Sequence, residues 1–409
     1  MNIGIVTTWF ESGAAYVSRQ YLSLLEPEHK IFIYARAGRF PGNDESCWID
    51  ASNVTRNKED LLITTYINRT QFIRWITKNK LDVLFFNEQQ WWEPLKWCKE
   101  TGIKTGAYVD YYTELTIPLF AAYDFLICNT KRHFSAFSWH PQCYYIPWGT
   151  DIDLFKPPVN GRPVNDPMVF FHSCGVDPYR KGTDLLINAF RGVKTNSKLI
   201  IHTQVSIEEC FPELKQPIKD LTASGKLEII QKTVPAPGLF HLGNLYIYPS
   251  RLEGIGLTIA EALASGLPLI VPDYPPMNEF FSENATGYLI KIARLHARND
   301  GYYWPVCEID TNDLTDLIDR IALQPVLVKQ MQINARKYAE EKLDWRKNRE
   351  AILKIFEQSK IRESDPEIIS HIDRYQKFGF NKIYYFAYKN RVLVKPFSLL
   401  YKKLKKRLE

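Results

Sequence analysis

Two glutamates and two glycines in the second half of the chain have a spacing that could serve chemistry on a phosphate-bearing ligand. They lie in the stretch 249–271, PSRLEGIGLTIAEALASGLPLIV, and are Glu253, Gly254, Gly256 and Glu261. The apolar run before them predicts a strand, and the pattern after them predicts a helix that begins near residue 255 or 256. Glycine lets backbone amides approach a ligand, and a helix start presents free amides and a partial positive charge at the same point. This arrangement suits a diphosphate.

The two carboxylates are eight residues apart in sequence, slightly more than two helical turns. They can therefore share one cleft, with Glu253 at the mouth of the helix and Glu261 along its wall. Either glutamate alone is more simply a solvated helix residue, because a chain with 46 acidic residues produces this spacing by chance. A helix interior does not need two glycines beside an acid, so the full string indicates a site.

The elements that must position this string alternate between strand and helix. In the first half, the predicted strands are 2–7, 30–34, 81–86, 104–109 and 125–128, and the predicted helices are 14–25, 60–78 and 93–99. In the second half, the predicted strands are 168–172, 198–202, 227–231, 245–248 and 268–271, and the predicted helices are 183–190, 207–221, 257–264 and 311–322. Such alternation predicts an α/β protein whose parallel strands are joined by right-handed crossovers and covered on both faces.

A proline-rich stretch separates the two series. Residues 141–167 hold six of the 24 prolines, and because proline removes an amide donor and fixes φ, we expect no regular element there. The sequence therefore predicts two doubly wound domains, 1–150 and 168–343, joined by a linker at 151–167. A helical pattern follows over 326–357.

Composition excludes several other classes of protein. The 409 residues are 45% hydrophobic and 24% charged, as in globular proteins, and no apolar run is long enough to span a bilayer. The first ten residues predict a strand rather than a signal peptide. The seven cysteines form no Cys-x-x-Cys pair, so we expect free thiols in an intracellular protein. Aromatic residues reach 14%, which favours ring-lined clefts or a membrane-facing surface.

The string at 249–271 closely resembles the signature of the retaining glycosyltransferases of family 4, which have the GT-B fold. The segment IPWGTD at 146–151 resembles the interdomain segment of that family, and RKGTDLL at 180–186 resembles its Lys-Gly element. The chain from Asp344 onward resembles the terminal helix of the family. The resemblance covers most of residues 1–357. It implies two Rossmann-like domains facing across a cleft, with the acceptor on the first, the donor on the second, and residues 344–360 crossing back.

The resemblance also implies roles for particular residues. Glu253 would bind hydroxyl groups of the donor sugar, Glu261 would bind the nucleotide ribose, and Lys181 would neutralise the diphosphate of the leaving group. The backbone amides expected near the sugar and the phosphate are those of Gly254, Ile255, Gly256 and Leu257. Gly13 lies in the first strand-to-helix turn, where the family brings its backbone close to the diphosphate. No metal or other cofactor is expected, because lysine, arginine and a helix N-terminus supply the positive field.

The sequence departs from the family at two positions. The family usually has an arginine about six residues before the lysine that corresponds to Lys181, and this position is Gly175 here. Arg180 either replaces that arginine in donor binding or is an ordinary surface arginine. A histidine usual near the acceptor hydroxyl is replaced in the segment 108–112, where Asp110 either takes its place or caps a loop. A same-face reaction needs no protein base, since the departing phosphate oxygen can take the acceptor proton. A double displacement with Asp110 as nucleophile is the alternative.

Positive charge is concentrated at the end of the chain. Residues 374–409 contain eleven Lys or Arg and one acid, a net charge of +10, whereas residues 1–373 carry −4. An apolar stripe runs through this stretch at helical spacing, formed by Phe397, Leu400, Tyr401, Leu404 and Leu408. Three interpretations are a peripheral membrane contact, a nucleic-acid contact and a solvated basic helix. We favour an anionic membrane surface at the inner leaflet for this tail, 361–409, and expect no nucleic-acid partner.

Three functions fit these observations. The first is a retaining glycosyltransferase that uses a nucleotide-sugar donor and a glycan or lipid-linked acceptor, in the synthesis of cell-surface polysaccharide or lipopolysaccharide. The second is a non-catalytic nucleotide- or glycan-binding protein on the same scaffold. The third is another GT-B chemistry, such as nucleotide-sugar epimerisation or phosphorolysis. The presence of Glu253, Glu261 and Lys181 favours the first.

Overall fold

The computed structural model describes residues 1–10, 12–36, 52–57, 65–159, 161–164, 166–283, 285–363 and 365–378. Its strands are β1 (Asn2–Thr7), β2 (Lys30–Ala35), β3 (Val54–Arg56), β4 (Val83–Asn87), β5 (Lys104–Tyr108), β6 (Phe125–Cys128), β7 (Cys143–Tyr145), β8 (Met168–Gly175), β9 (Ser197–Thr203), β10 (Leu227–Gln231), β11 (Leu245–Ile247), β12 (Leu269–Pro272), β13 (Gly287–Ile290), β14 (Ile292–His296) and β15 (Val306–Ile309). Its α-helices are α1 (Gly13–Leu25), α2 (Arg69–Asn79), α3 (Glu93–Thr101), α4 (Lys131–Phe137), α5 (Thr183–Arg191), α6 (Ile207–Cys210), α7 (Lys215–Ala223), α8 (Leu257–Ala264), α9 (Thr311–Ala322), α10 (Pro325–Tyr338), α11 (Arg349–Gln358) and α12 (Pro366–Phe378).

These elements form two units, each built on a parallel sheet. The first unit contains Met1–Asn129, His133–Ile146 and the chain from Arg349 onward, and the second contains Thr130–Arg132 and Pro147–Asn348. The sheet of the first unit has the strand order β3-β2-β1-β4-β5-β6-β7, and that of the second has the order β10-β9-β8-β11-β12-β13. The predicted α/β class with two doubly wound parallel sheets is confirmed. The arrangement of the two domains across a cleft stays a prediction.

Aromatic side chains fill much of the core of the first unit. Phe72 and Trp75 on α2 pack against Tyr34 on β2, with ring centroids 5.2 Å from Tyr34 in both cases. Most of the largest fully buried side chains among the described residues are tyrosine, tryptophan or phenylalanine. Among the described residues, the high aromatic content therefore contributes largely to core packing, and the predicted ring-lined clefts or membrane-facing surface stay predictions.

Two predictions about local structure were wrong. The helix expected over 207–221 is instead α6, a 3₁₀ turn at Pro212–Leu214, and α7, because Pro212 fixes φ and lacks an amide donor. The proline-rich stretch 141–167 was expected to hold no regular element, yet it contains β7. The three residues of β7 lie between Pro141 and Pro147, and pair in parallel with β6 at the edge of the sheet.

The strand order places a switch point in each sheet. In the first sheet, β1 lies between β2 and β4, and in the second, β8 lies between β9 and β11. Loops that leave the carboxyl ends of adjacent strands diverge at such a point, which is where open α/β sheets bind ligands. The loops after β8 and β11, and those after β1 and β4, are therefore the ones expected to hold functional side chains.

The described part of the C-terminal stretch ends with α12, which packs on α3 within the first unit. The Gln376 side chain accepts a hydrogen bond from the Trp92 amide at 3.1 Å and donates one to Glu93 at 2.7 Å. The rest of the predicted basic tail, residues 379–409 with their apolar stripe, lies outside the described residues. No helix in the described part of the chain combines the length and apolar character that a membrane span requires.

Candidate active site

The loop between β11 and α8 carries Glu253. The helix begins at Leu257, the first residue of the predicted helix 257–264, and Gly256 precedes it with a φ of +87°, in the left-handed region that favours glycine. Ile255 is buried and anchors the loop. The first turn of α8 has no side-chain cap and no acidic residue. Its amides can therefore hydrogen-bond an anion.

The Glu253 carboxylate is 5% exposed and is bound by groups from two loops. Its Oε1 accepts hydrogen bonds from Ser250 Oγ at 2.6 Å, Tyr248 Oη at 2.7 Å and Lys181 Nζ at 2.6 Å. Its Oε2 accepts one longer hydrogen bond, 3.3 Å, from Arg180 Nη1. Because Oε1 is already occupied, Oε2 is the atom with capacity to accept a hydrogen bond from a ligand hydroxyl.

The loop between β8 and α5 brings Arg180 and Lys181 to the same carboxylate. Adjacent residues on a helix would diverge, but these two lie in turns, so both side chains reach Glu253. Gly182 has a φ of +69°, and a Cβ at this position would lie 2.1 Å from the Pro249 carbonyl oxygen. Only glycine therefore allows the two loops to approach this closely.

Opposite charges determine the protonation of this cluster. Burial alone would raise the pKa of Glu253, but the positive charges of Lys181 and Arg180 lower that pKa to about 2. Burial lowers the pKa of Lys181 to about 8, against the opposing effect of Glu253. The charge of Glu253 raises the pKa of Arg180. At neutral pH Glu253 is thus a carboxylate bound by two cations, and Arg180 also pairs with Asp177 at 3.3 Å.

Glu261 lies on α8 and is half-buried. Its carboxylate makes no hydrogen bond or ion pair with any residue in the described ranges. Burial raises the pKa of Glu261 to about 7, and Lys181 acts in the opposite direction. A carboxylate with free acceptor capacity is suited to the predicted ribose contact, a role that stays a prediction.

Two buried side chains fix the loops that carry the cluster. Arg251 donates from both Nη atoms to the Asp184 carboxylate at the start of α5, each at 2.7 Å. His172 on β8 lies between the Ile247 carbonyl and the Thr183 hydroxyl, each at 2.9 Å. Burial lowers the pKa of His172 to about 4, so the neutral ring donates one hydrogen bond and accepts the other. Strands β8 and β11 are thereby tied to α5.

In the first unit, Gly13 occupies the predicted strand-to-helix turn. It is the first residue of α1, and Ser12 caps the helix by accepting a hydrogen bond from the Ala15 amide at 3.3 Å. Gly13 itself is exposed. Its predicted role at the diphosphate stays a prediction.

Asp110 follows β5 and lies beside Glu88, which follows β4. Burial, together with the neighbouring Asp110 carboxyl group, raises the pKa of Glu88 to about 8. Glu88 is therefore mostly protonated at neutral pH and can donate a hydrogen bond to Asp110. Tyr108 Oη also donates to Asp110 at 3.4 Å, and His133 Nε2 lies 3.9 Å from the same carboxylate.

The backbone at Glu88 is strained, with a φ of +54°. The buried Arg36 guanidinium holds this turn by donating to the Asn87 and Glu88 carbonyl oxygens, at 2.5 and 2.8 Å. Side chains in such strained turns are often functional, and the neighbouring Asp110 is the residue that the sequence singled out.

The structure thus brings most of the predicted donor residues together in the second unit. This group comprises Arg180, Lys181, Glu253, Gly254, Ile255, Gly256, Leu257 and Glu261. Gly13 and Asp110 belong to the first unit. The sequence did not identify Tyr248 and Ser250, although their closeness to Glu253 was a usable signal. It also did not identify Glu88, although this residue directly follows a predicted strand.

Comparison with known proteins supports a glycosyl transferase domain. Residues 156–301, which include Lys181, Glu253 and Glu261, match the family model described as Glycosyl transferases group 1. The chain is 25% identical over 165 residues to the lipopolysaccharide core biosynthesis mannosyltransferase LpsB of Rhizobium meliloti, covering 37% of this chain and 47% of LpsB. It is also 25% identical over 229 residues to the D-inositol 3-phosphate glycosyltransferase of Saccharomonospora viridis, covering 52% and 49%. The matched segments thus span about half the length of these relatives.

The solved structures support the fold of the whole chain. Anabaena Alr3699/HepE, determined in complex with UDP and glucose, is similar with a TM-score of 0.67 and 16% identity, over 88% of this chain and 100% of HepE. At this level of identity the similarity establishes the fold alone. The chain thus shares the fold of HepE over most of its length, with two units that are each built on a parallel sheet, and residues 156–301 in the second unit match the group 1 model.

Proposed function

We propose that this protein is a retaining glycosyltransferase that moves a sugar from a nucleotide-sugar to a glycan or lipid-linked acceptor, in the synthesis of cell-surface polysaccharide or lipopolysaccharide. The group 1 domain and the similarity to LpsB support this assignment. The observation that carries it is the position of Glu253, Lys181 and Arg180 beside the uncapped start of α8, at the switch point of the second sheet.

The donor is bound by the second unit. The diphosphate lies at the first turn of α8, where backbone amides and Lys181 stabilise its charge. Oε2 of Glu253 accepts a hydrogen bond from a hydroxyl of the donor sugar, and Glu261 accepts hydrogen bonds from the ribose. HepE, whose structure contains UDP and glucose, provides a precedent for UDP as the nucleotide.

The reaction replaces one bond of the anomeric carbon with another on the same face of the sugar. The bond to the diphosphate oxygen breaks as the bond to the acceptor oxygen forms, and the acceptor proton passes to the departing phosphate oxygen. The nearby cations Lys181 and Arg180 stabilise the negative charge that grows on the leaving group. Fixed cations and helix amides supply this stabilisation, so the proposal includes no metal.

The reacting hydroxyl of the acceptor is bound by the first unit, at Asp110. The ionised Asp110 accepts a hydrogen bond from the acceptor hydroxyl, while the protonated Glu88 fixes its orientation. This assignment takes Asp110 as a positioning group, because a same-face reaction does not need a separate base.

Thermal and chemical unfolding against a panel of nucleotide-sugars tests this function. A donor at about 100 times its dissociation constant should add roughly 2.7 kcal/mol to the free energy of unfolding. The increase in unfolding free energy on addition of the donor is measured against the ligand-free form of each variant. We expect this increase to be lost in Lys181→Met and reduced in Glu261→Gln. Lys198→Met is the matched control, since Lys198 pairs with Glu228 on the neighbouring strand, outside the cluster. Stabilisation by no nucleotide-sugar, or equal stabilisation of all variants, would contradict the proposal.

A further inference from the structure

A hairpin outside the main sheet of the second unit lies against the loop that carries Glu253. Strands β14 and β15 pair antiparallel with each other and with no strand of the six-stranded sheet. The Cys307 amide on β15 donates to the Arg251 carbonyl at 3.0 Å. Glu308 joins the two strands through Arg294 at 2.7 Å and lies 3.6 Å from Arg251 Nε. The hairpin is therefore fixed to the Glu253 loop by backbone and charge contacts.

A cavity of about 330 Å³ lies between this hairpin and the loops after β8 and β11. Its volume is within the range of small-molecule sites, about 300–1,000 Å³. Three arginines are among its lining residues, Arg180 and Arg251 on the loops and Arg298 on the hairpin. His296 and Asn299 of the hairpin complete the polar lining, with Asp177 as the one carboxylate among the described lining residues.

The carboxylates that pair with two of these arginines are not part of the cavity wall. Asp184 binds both Nη atoms of Arg251, and Asp300 binds Arg298 through Nε at 3.0 Å and Nη2 at 2.5 Å. These pairs hold the guanidinium groups in place without putting negative charge among the lining residues. Asp177, which does lie in the wall, pairs with Arg180 at 3.3 Å. The lining thus holds three arginines against one carboxylate, and the ion pairs keep the arginine side chains in place.

Two lining groups of the hairpin have free hydrogen-bonding capacity. The side chains of His296 and Asn299 make no hydrogen bond or ion pair with other described residues. On the opposite wall, the Tyr179 ring is 54% exposed, and the Arg251 guanidinium lies 4.1 Å from its centroid. Cationic donors together with an exposed ring match a sugar that bears an oxyanion.

We propose that this cavity binds an anionic group, a phosphate or a carboxylate, on a sugar of the acceptor. Arg180 lines the cavity and also contacts Glu253, so an occupant would lie one side chain away from the carboxylate assigned to the donor sugar. The assignment to the acceptor rests on the proposed glycosyl transfer. The hairpin is then a selectivity element that favours acidic acceptors over neutral ones.

Calorimetric titration at pH 6 with three probes tests this inference: glucose 6-phosphate, glucuronate and glucose. One of the two anionic probes should bind and glucose should bind at least about tenfold more weakly, since glucose cannot form the charge-assisted hydrogen bonds that an anion forms with arginine. The tighter anionic probe identifies the group as phosphate or carboxylate. Arg298→Ala should weaken its binding about tenfold, whereas Arg294→Ala, on the same hairpin but outside the cavity wall, should not.

His296→Ala is a second test of the cavity, needed because the loss of Arg298 could disturb the turn at Asp300. The His296 side chain makes no hydrogen bond or ion pair with other described residues, so its removal breaks no such contact. It should also weaken the anionic probe. Equal binding of glucose and the anionic probes would overturn the inference. Unchanged binding of the anionic probe to both Arg298→Ala and His296→Ala would also overturn it. So would a loss of probe binding in Lys181→Met alone, because the probe would then be bound at the diphosphate site.

Nucleotide-sugar titrations on the same samples separate this inference from the proposed function. If no nucleotide-sugar binds but the anionic probe binds in an Arg298-dependent way, the cavity exists and the proposed transfer fails. If a nucleotide-sugar binds normally to wild type and to Arg298→Ala while no anionic probe binds, the transfer stands and the cavity inference fails.

Discussion

Replacement of Gly182 by alanine tests the close approach of the two loops that form the donor cluster. Gly182 has a φ of +69°, and an added Cβ would lie 2.1 Å from the Pro249 carbonyl oxygen. That oxygen belongs to the backbone, so relief of the clash requires one loop to move relative to the other. Since Lys181 and Glu253 lie on opposite loops, the movement should separate the two charges.

The magnitude follows from comparison with Gly225, which has a φ of +74° and no atom within 4 Å of an added Cβ. Gly225→Ala therefore measures the cost of left-handed backbone alone, about 1–2 kcal/mol. Gly182→Ala carries the same cost plus overpacking, typically a further 1–3 kcal/mol. We expect Gly182→Ala to lose roughly 2–5 kcal/mol of unfolding free energy in total.

Urea denaturation of the two variants and wild type measures these differences, and titration with a nucleotide-sugar measures the site. Gly182→Ala should be less stable than Gly225→Ala and should bind the donor at least about tenfold more weakly than wild type, because a displacement of about 1 Å already spoils such a site. Gly225→Ala should bind the donor like wild type. Equal stability of the variants together with wild-type donor binding would refute the reasoning.

Three further predictions concern pH and the C-terminal stretch. Burial raises the pKa of Glu261 to about 7, so the affinity for a nucleotide-sugar should fall as pH drops through about 7, by up to about tenfold per pH unit. The variant Glu261→Gln should bind with an affinity that depends less on pH. A wild-type affinity that does not change with pH would contradict the ribose role. The pKa of Glu88 is raised to about 8 by burial and Asp110. A carboxyl group whose pKa is higher in the folded protein than in the unfolded chain lowers the free energy of unfolding once pH exceeds the pKa of the unfolded chain. Glu88→Gln should therefore be more stable than wild type by about 1 kcal/mol or more at pH 9 and similar to it at pH 4 in chemical denaturation, and a pH-independent difference would contradict the shared proton. Deletion of residues 379–409, which retains α12 and its contacts, should abolish co-sedimentation with anionic vesicles without lowering the melting temperature, and unchanged co-sedimentation would rule out the membrane contact.

The fold was largely predictable because strands covered on both faces are continuous apolar runs in the sequence. The bounds of β1, β6, β10 and α8 were predicted residue for residue, since each apolar pattern ends at a polar or glycine position. Short edge elements such as β7 were missed, because three residues carry too little pattern. The β14–β15 hairpin was also missed, since β14 is mostly exposed and lacks an apolar run.

The donor cluster could be located from the sequence because glycines beside an acid are rare in a helix interior. The convergence of Arg180 and Lys181 on Glu253 could not, because it depends on a turn whose geometry requires Gly182 to touch Pro249. The proton shared by Glu88 and Asp110 was equally hidden, because only the sheet order places the ends of β4 and β5 side by side.

A crystal structure of the protein with a bound nucleotide-sugar would show directly whether the second unit binds the donor at Glu253, Lys181 and α8. We expect the diphosphate at the first turn of α8, within hydrogen-bond distance of backbone amides there and of Lys181, with the ribose at Glu261 and a sugar hydroxyl at Glu253 Oε2. A nucleotide-sugar bound elsewhere, with these side chains still paired only to one another, would contradict it.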